Sequence, residues 1–362
     1  MTEGTKSRAR TPSSLPTVRA HNFALRRGRA QWFWLALGFG LLLALPAILP
    51  AFWLHITNLA LIATVGAVAL NLLSGNAQMV SLGQAAFLGI GGFTAGYLGQ
   101  TYELAFPLVL AVSTVAGGIL GLIVAIPSLR LRVMYVAVTT IALHFAVTTA
   151  LNVIQAVAMN SDGMVLPDAA IGPLKFTAPS NWYYLLLAFA AAAVIAALNL
   201  LRSHVGRRWI SVADHDLAAE ALGISVVRSK LSVFVVSSAV VALAGALQGY
   251  YIGTVSYEAY TLGLAITYLA MIIVGGIGRV AGSVVGAFVI KFLPYLLDKV
   301  IAAFGIALAA SSLTGLHDIL YGGLIIGFLL FEPRGLVEVW RRIRVALADW
   351  PFRYRSAQRG SR

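Results

Sequence analysis

The sequence contains no cysteine, so disulfides, thiolate metal sites and cysteine nucleophiles are excluded. Charge is scarce as well. Of 362 residues, 26 are basic and 13 acidic, or 11%, against roughly 25% in a soluble domain. A soluble globule of this length could not cover its core with so few charges. The motifs of catalysis are missing too. No lysine follows a glycine, so there is no Walker A loop to cradle a nucleotide, and there is no HExxH pair. The six histidines, His21, His55, His144, His204, His215 and His317, show no metal-ligand spacing on one helix. Only His144 falls clearly inside an apolar run, where it reads as a hydrogen-bonding residue of a helix bundle. A serine hydrolase built from Ser74 with His144 or His317 has no motif behind it.

What the chain has instead is apolar length. Hydrophobic residues make up 59% and mean hydropathy is +0.86. Between Gln31 and Leu129 the only charge is Glu103, and none lies between Val133 and Ser161, Phe176 and Leu201, or Leu231 and Tyr257. A spanning helix takes about 20 apolar residues. The pattern predicts an all-α, polytopic transmembrane helix bundle of about ten spans, with eight to ten as the range. They fall near 33–54, 56–73, 81–99, 106–127, 133–158, 182–201, 231–252, 262–278, 281–297 and 318–331. The region 262–316 is the least regular, because glycines, Pro294 and Asp298-Lys299 interrupt it. The first helix reads as uncleaved, with aromatic anchors at Trp32 and Trp53.

The net charge of +13 then becomes an orientation signal. With the N-terminus inside, the inner segments hold 23 of the 26 basic residues. Lys175 and Lys299 fall outside, Lys291 falls in a span, and Glu103, Asp162, Asp168, Glu258 and Asp298 are outer acids. Both termini are expected in the cytoplasm. The chain divides into a disordered basic tail (1–31), a membrane domain (32–332) that includes a cytoplasmic loop (202–230), and a basic C-terminal tail (333–362). The tails fit contact with anionic lipid rather than nucleic acid.

The loop 202–230 is too long for a simple turn. It predicts one short surface helix, with Ser211 or Asp214 as N-cap, Asp214 and Asp216 near the positive end, and Gly223 as the stop. Ala218, Ala219 and Leu222 form a small, partly apolar face, with Asp216 and Glu220 beside it. A lipid-facing helix would favour large apolar and basic residues. This one suits insertion into a protein cleft. Elsewhere, Ala85, Gly89, Gly92 and Gly96 recur at helical steps, as do Gly278, Gly282 and Gly286, which predicts smooth faces for close helix packing. Ser74-Gly75-Asn76 predicts a helix break on the cytoplasmic side. Asn71, Ser81 and Gln84 are polar residues near that break, where transporters place their pathway.

With these residues in view, the chain resembles the LivM-type permeases of branched-chain amino acid importers, members of the ATP-binding-cassette class. The core from Asp216 to Gly223 is similar to the coupling loop of such permeases. Asn71 to Phe93, Gly275 to Ala287, and Tyr321 to Leu336 are similar to three further stretches of the family, and the resemblance spans roughly residues 35–340. The chain departs from the family in its outer loop, where only Gly163 and Pro167 echo the usual glycine-rich turn. It departs again at Arg279 and Ser283, and at Ser211 and Ala213.

The resemblance implies a homologous second permease, two cytoplasmic ATPases that bind the ATP, a soluble substrate-binding protein, and an inner-membrane location. It implies coupling through Asp214, Asp216, Ala218, Ala219, Glu220 and Gly223, with no cofactor, metal or covalent chemistry in this chain. The cargo it implies is a branched-chain amino acid, with urea, short amides or other amino acids behind. A secondary transporter would use intramembrane ionisable groups for ion coupling, and a channel would not need the coupling helix. A reporter fused after Gln358 is expected to be cytoplasmic; a periplasmic signal there would contradict the even span count.

Overall fold

The computed structural model describes residues 42–128, 133–158, 163–172, 174–303, 310–331 and 335–338. The tail 1–31 and most of 333–362 lie outside the described residues. Residues 42–48 form helix α1, in a unit that ends at Ile48. The second unit, from Leu49 on, is a bundle of α2 (Ala51–Leu70), α3 (Gln84–Thr101), α4 (Phe106–Ser128), α5 (Val133–Ala158), α6 (Pro179–Arg202), α7 (His204–Asp214), α8 (Asp216–Ala221), α9 (Val226–Ile252), α10 (Leu262–Gly275), α11 (Val280–Ala303) and α12 (Ala310–Phe331). Two short antiparallel pairs join β1 (Met164–Val165) to β4 (Thr254–Val255), and β2 (Ala170–Ile171) to β3 (Leu174–Lys175). Among the described residues, seven helices are long and apolar enough to cross a membrane. The chain is a multi-pass helical membrane protein, since apolar helices satisfy their own backbone where water is absent.

The connections gather at two ends. At one, Gly75 lies on the backbone of Gly278, and Gly335 on that of Gly276. At the other, β1 pairs with β4, the His55 ring bonds the Tyr251 hydroxyl at 2.8 Å, and the Asn58 amide donates to the Pro179 carbonyl at 2.9 Å. The first end contains the segments expected to be cytoplasmic, the second those expected outside. Between them α2 is almost wholly buried and packs against α6, α9 and α11.

Helix α9 packs closely on α3 and α4. Gly91 of α3 lies on the Ala242 carbonyl, and Gly245 of α9 lies on the Leu88 carbonyl. A methyl group at either would overlap backbone, not a side chain that could turn away. Gly117 of α4 lies on the Ala242 methyl and the Ser238 carbonyl, and Gly121 on the Ser238 side chain. The expected row is used differently. Gly89 and Gly92 receive the ring of Tyr260, and Gly96 the side chain of Met164. That row is therefore filled by side chains, with Leu151 of α5 also against Gly89, and the helix crossing passes through Gly91. In the late block, Gly282 and Gly286 lie on the backbone of Gly275 and Met271. Gly278 does not share their face: it has φ 80 and belongs to the α10–α11 turn.

Several boundaries differ from the sequence expectation. Helix α2 begins at Ala51 rather than 56, with Pro50 in its N-cap position, so Trp53 starts α2 instead of ending the helix before it. The Trp53 ring stacks on Phe292 at 5.8 Å. Helix α2 passes directly into a π-turn over Asn71–Asn76, so the break falls at 77–83, where Gln78 has φ 53. Helix α3 begins at Gln84, which leaves Ser81 in the connecting segment. Neither Pro294 nor Asp298-Lys299 interrupts α11. Its 24 residues reach about 36 Å, longer than a hydrocarbon core of about 30 Å, so its charged last turns can clear the apolar layer. There the Lys299 ammonium sits 4.7 Å from the Trp53 ring. The outer loop carries short strands that the apolar pattern did not signal.

Gly91→Ala is expected to destabilise the bundle by about 1–3 kcal/mol through overpacking. Gly322→Ala, where an added methyl meets nothing within 4 Å, is the control. Thermal unfolding in detergent checks the pair, and equal midpoints would contradict the close crossing.

Candidate functional site: the surface helices and the signature cluster

The segment after α6 forms two helices, not one. Ser203 caps α7, its hydroxyl accepting from the Val205 and Gly206 amides at 3.2 and 3.4 Å. Ser211 and Asp214 are therefore not N-caps: the Ser211 hydroxyl donates to the Arg207 carbonyl within α7, and Asp214 ends that helix. The chain breaks at His215, which is extended at φ −155. Helix α7 buries Trp209 and Val212. The Trp209 indole donates to the Ser232 hydroxyl of α9 at 2.8 Å, satisfying the one polar atom on a buried ring.

Helix α8 stands out from this base. Its only buried residue is Ala219, 3% exposed. Asp216 lies in its first turn, where the helix dipole favours negative charge. The Lys230 ammonium donates to its carboxylate at 3.2 Å, and that bond holds the Asp216 carboxyl below its ordinary pKa, with the backbone helping. A depressed carboxyl keeps this contact above its own pKa and loses it as pH falls through that value. The pair is exposed, and such pairs contribute little to stability. The helix stops in a Schellman arrangement: the Ile224 amide donates to Ala219 and the Gly223 amide to Glu220, with Gly223 at φ 79.

Ala218, Glu220 and Gly223 are exposed. So are two leucines, Leu217 at 85% and Leu222 at 81%. Sequence reasoning placed Leu222 on an apolar face with Ala219, but Ala219 turns inward while Leu222 turns out. It missed Leu217, which a search for apolar residues next to the helix acids would have found. Beside α8 a cavity of about 530 Å³ opens, lined by Arg208, Trp209, Leu222, Gly223, Arg228 and Ser229 among others.

The same end holds a second cluster. Asn71, fully buried, starts the π-turn, and its side-chain oxygen accepts from the Gly278 amide at 2.8 Å. Its Nδ2 has no partner among the described residues. The Ser74 hydroxyl donates to the Met79 carbonyl at 3.2 Å and accepts from the Ser81 amide at 3.4 Å. The Ser81 hydroxyl accepts from the Gly83 amide. The Gln84 side chain donates to the Gly66 carbonyl of α2 at 3.0 Å. Asn71, Ser81 and Gln84 are thus all buried and engaged in intramolecular bonds.

Arg279, in the same turn as Gly278, pairs with Glu338 at 2.7 Å, and the Glu338 side chain is only 1% exposed. Three stretches far apart in sequence, around Asn71, Gly278 and Gly335, therefore meet. Helix α7 reaches this cluster, since Trp209, Val212 and Ala77 line one small cavity. Among the described residues no group of three or more His, Asp or Glu could hold a metal ion.

These two features, a protruding surface helix and a glycine-lined cluster beneath it, occur in a chain that matches a known family. A family model described as "Branched-chain amino acid transport system / permease component" matches residues 52–329. The LivM permease protein of the high-affinity branched-chain amino acid transport system of Escherichia coli K12 is 24% identical over 83% of this chain and 73% of its own length. Its counterpart in Salmonella typhimurium is 26% identical over 79% and 70%. The probable LivM permease of Methanocaldococcus jannaschii is 24% identical over 64% and 67%. No solved structure matches the chain. The chain belongs to the family of permease components of branched-chain amino acid transport systems.

Proposed function

We propose that this chain is one of two homologous membrane subunits of an ATP-binding-cassette importer in the inner membrane, and that it carries a branched-chain amino acid inward. Two cytoplasmic ATPases bind and hydrolyse the ATP, and a soluble binding protein delivers the substrate to the outer end. The observation that carries the coupling part of this reading is α8, a helix held by one buried alanine with Leu217 and Leu222 projecting into solvent. Exposed large apolar side chains on such a helix fit a partner's cleft, where removing their apolar area from water favours docking. Asp214, Asp216, Ala218, Glu220 and Gly223 supply its polar and small contacts. The cavity bearing Arg208 and Arg228 suits an acidic side chain of the same partner.

The route inward from α8 is physical. Movement of α8 loads α7, whose Trp209 and Val212 lie against Ala77 just after the π-turn. The π-turn is tied through Asn71 to Gly278, and so to α10 and α11. Asn71, Ser81 and Gln84 act as hinge side chains whose hydrogen bonds hold one arrangement of this end. ATP-driven motion exchanges it for another, since packed elements of this kind switch between discrete states. The branched-chain substrate class is supported by the family and by its LivM relatives.

Replacing Leu217 and Leu222 with aspartate keeps the backbone of α8 and removes its anchors. ATP-dependent uptake of leucine by the complete importer in vesicles is expected to fall at least tenfold, with the protein still in the membrane. Replacing Glu220 and Gly223 with arginine is expected to abolish it. Uptake unchanged in both variants would contradict the coupling role, and parent uptake driven by an ion gradient without ATP would contradict the transporter class.

A further inference from the structure

The outer end carries a cavity that the coupling mechanism does not use. It encloses about 570 Å³ between the α3–α4 turn, the segment from Val165 to Ala170, and Tyr250 near the end of α9. Glu103 and Asp168 line it from two separate elements, and both are exposed. No lysine or arginine is among its lining residues. Tyr250 is 5% exposed, and its hydroxyl is buried without a hydrogen-bond partner among the described residues. The hydroxyl lies beside Gly99, where a side chain would come within 3.0 Å of it. The Tyr250 ring is fixed: Phe106 meets it edge-on at 4.8 Å, and Trp182 meets Phe106 at 6.2 Å.

This arrangement specifies a charge and a shape. Two carboxylates facing one cleft concentrate negative potential there, and a buried phenol without a partner calls for one. An ammonium or guanidinium offers donors to all three groups. Leu166, Pro167 and Phe106 form apolar wall against which a long alkyl stem can lie while its charged head meets the acids. A free zwitterionic amino acid fits poorly, because its carboxylate would meet Glu103 and Asp168 with no cation to receive it. Val165 in the lining and Tyr102, next to Glu103 in the chain, are exposed, and a surface tyrosine suits a protein interface.

We propose that this cavity is a socket for a lysine or arginine side chain of the soluble binding protein, paired with Glu103 and Asp168 and met at its floor by the Tyr250 hydroxyl. The proposal rests on the importer reading above, which supplies the binding protein. Charge complementarity of this kind sets orientation and encounter rate, and it weakens as salt rises.

The test uses the complete importer in vesicles and measures ATP hydrolysis as a function of binding-protein concentration at low and high salt. Glu103→Gln with Asp168→Asn is expected to raise the half-saturating concentration about tenfold at low salt. The same variant is expected to keep the maximal stimulated rate and to flatten the salt dependence. Tyr250→Phe is expected to raise the half-saturating concentration about threefold. The charge-conserving pair Glu103→Asp and Asp168→Glu is expected to stay near the parent, which separates charge from folding. Parent-like curves in the neutral variant would overturn the socket while leaving the importer reading intact. An effect that follows the phosphatidylethanolamine content of the vesicle, not the binding protein, would assign the cavity to a lipid amine and overturn the proposal. A parent complex that no binding protein stimulates would overturn the importer reading, and the socket with it.

Discussion

Two glycines, Gly91 on α3 and Gly245 on α9, let the backbones of these helices touch, and the rest of the bundle is arranged around that contact. Each lies on a carbonyl of the opposite helix, Ala242 and Leu88 respectively. In lipid the apolar surface of one helix gains little by meeting another, because the acyl chains are equally apolar. Close approach and interdigitation must supply the association. With α9 held on α3 and α4, its two ends are fixed as well. One end places Tyr250 on Phe106, and the other carries the residues that hold α7 and α8.

The end that carries α7 and α8 is tied together by a few specific contacts. Trp209 of α7 is bonded to Ser232 of α9 and lies with Ala77 around one small cavity. The π-turn at Asn71–Asn76 widens the helix where Asn71 reaches across to Gly278. Such turns inside helices recur at functional sites. The pair of Arg279 with the buried Glu338 clasps the segment after α12 onto the same turn. Only the Glu338 end of the pair is buried, since the Arg279 side chain is 41% exposed. Gly75 and Gly335 are required because backbone meets backbone there, and Gly276 and Gly278 because their φ values are 124 and 80.

Much of this was legible in the residues, and the reasons for the rest are physical. Apolar runs between charged residues located the helices, since spanning length and charge exclusion are imposed by the bilayer. Boundaries were less legible where a proline or polar residue is tolerated inside a helix: α11 runs through Pro294, and α2 begins at Ala51, two residues before Trp53, which read as the end of the previous helix. Glycine spacing indicated close packing but not the neighbour, so Gly89, Gly92 and Gly96 read as a helix face although Tyr260 and Met164 fill it. The loop 202–230 read as one helix because His215, the break, carries no turn signal. Ala219 and Leu222, read as one face, part to inside and outside because a six-residue helix shows too little periodicity to orient itself. The convergence of Asn71, Gly278 and Gly335 depends on tertiary folding and had no local signature.

The absence of cysteine offers a direct test of the account's central claim, that α8 is the surface through which the ATPases drive this permease. A single cysteine in place of Leu222 can be labelled with a membrane-impermeant maleimide added from the cytoplasmic side, first in the isolated chain and then in the assembled importer. The account predicts fast labelling in the isolated chain and at least tenfold protection when the ATPases are bound. Equal labelling in the two states, in an importer that still transports, would contradict it.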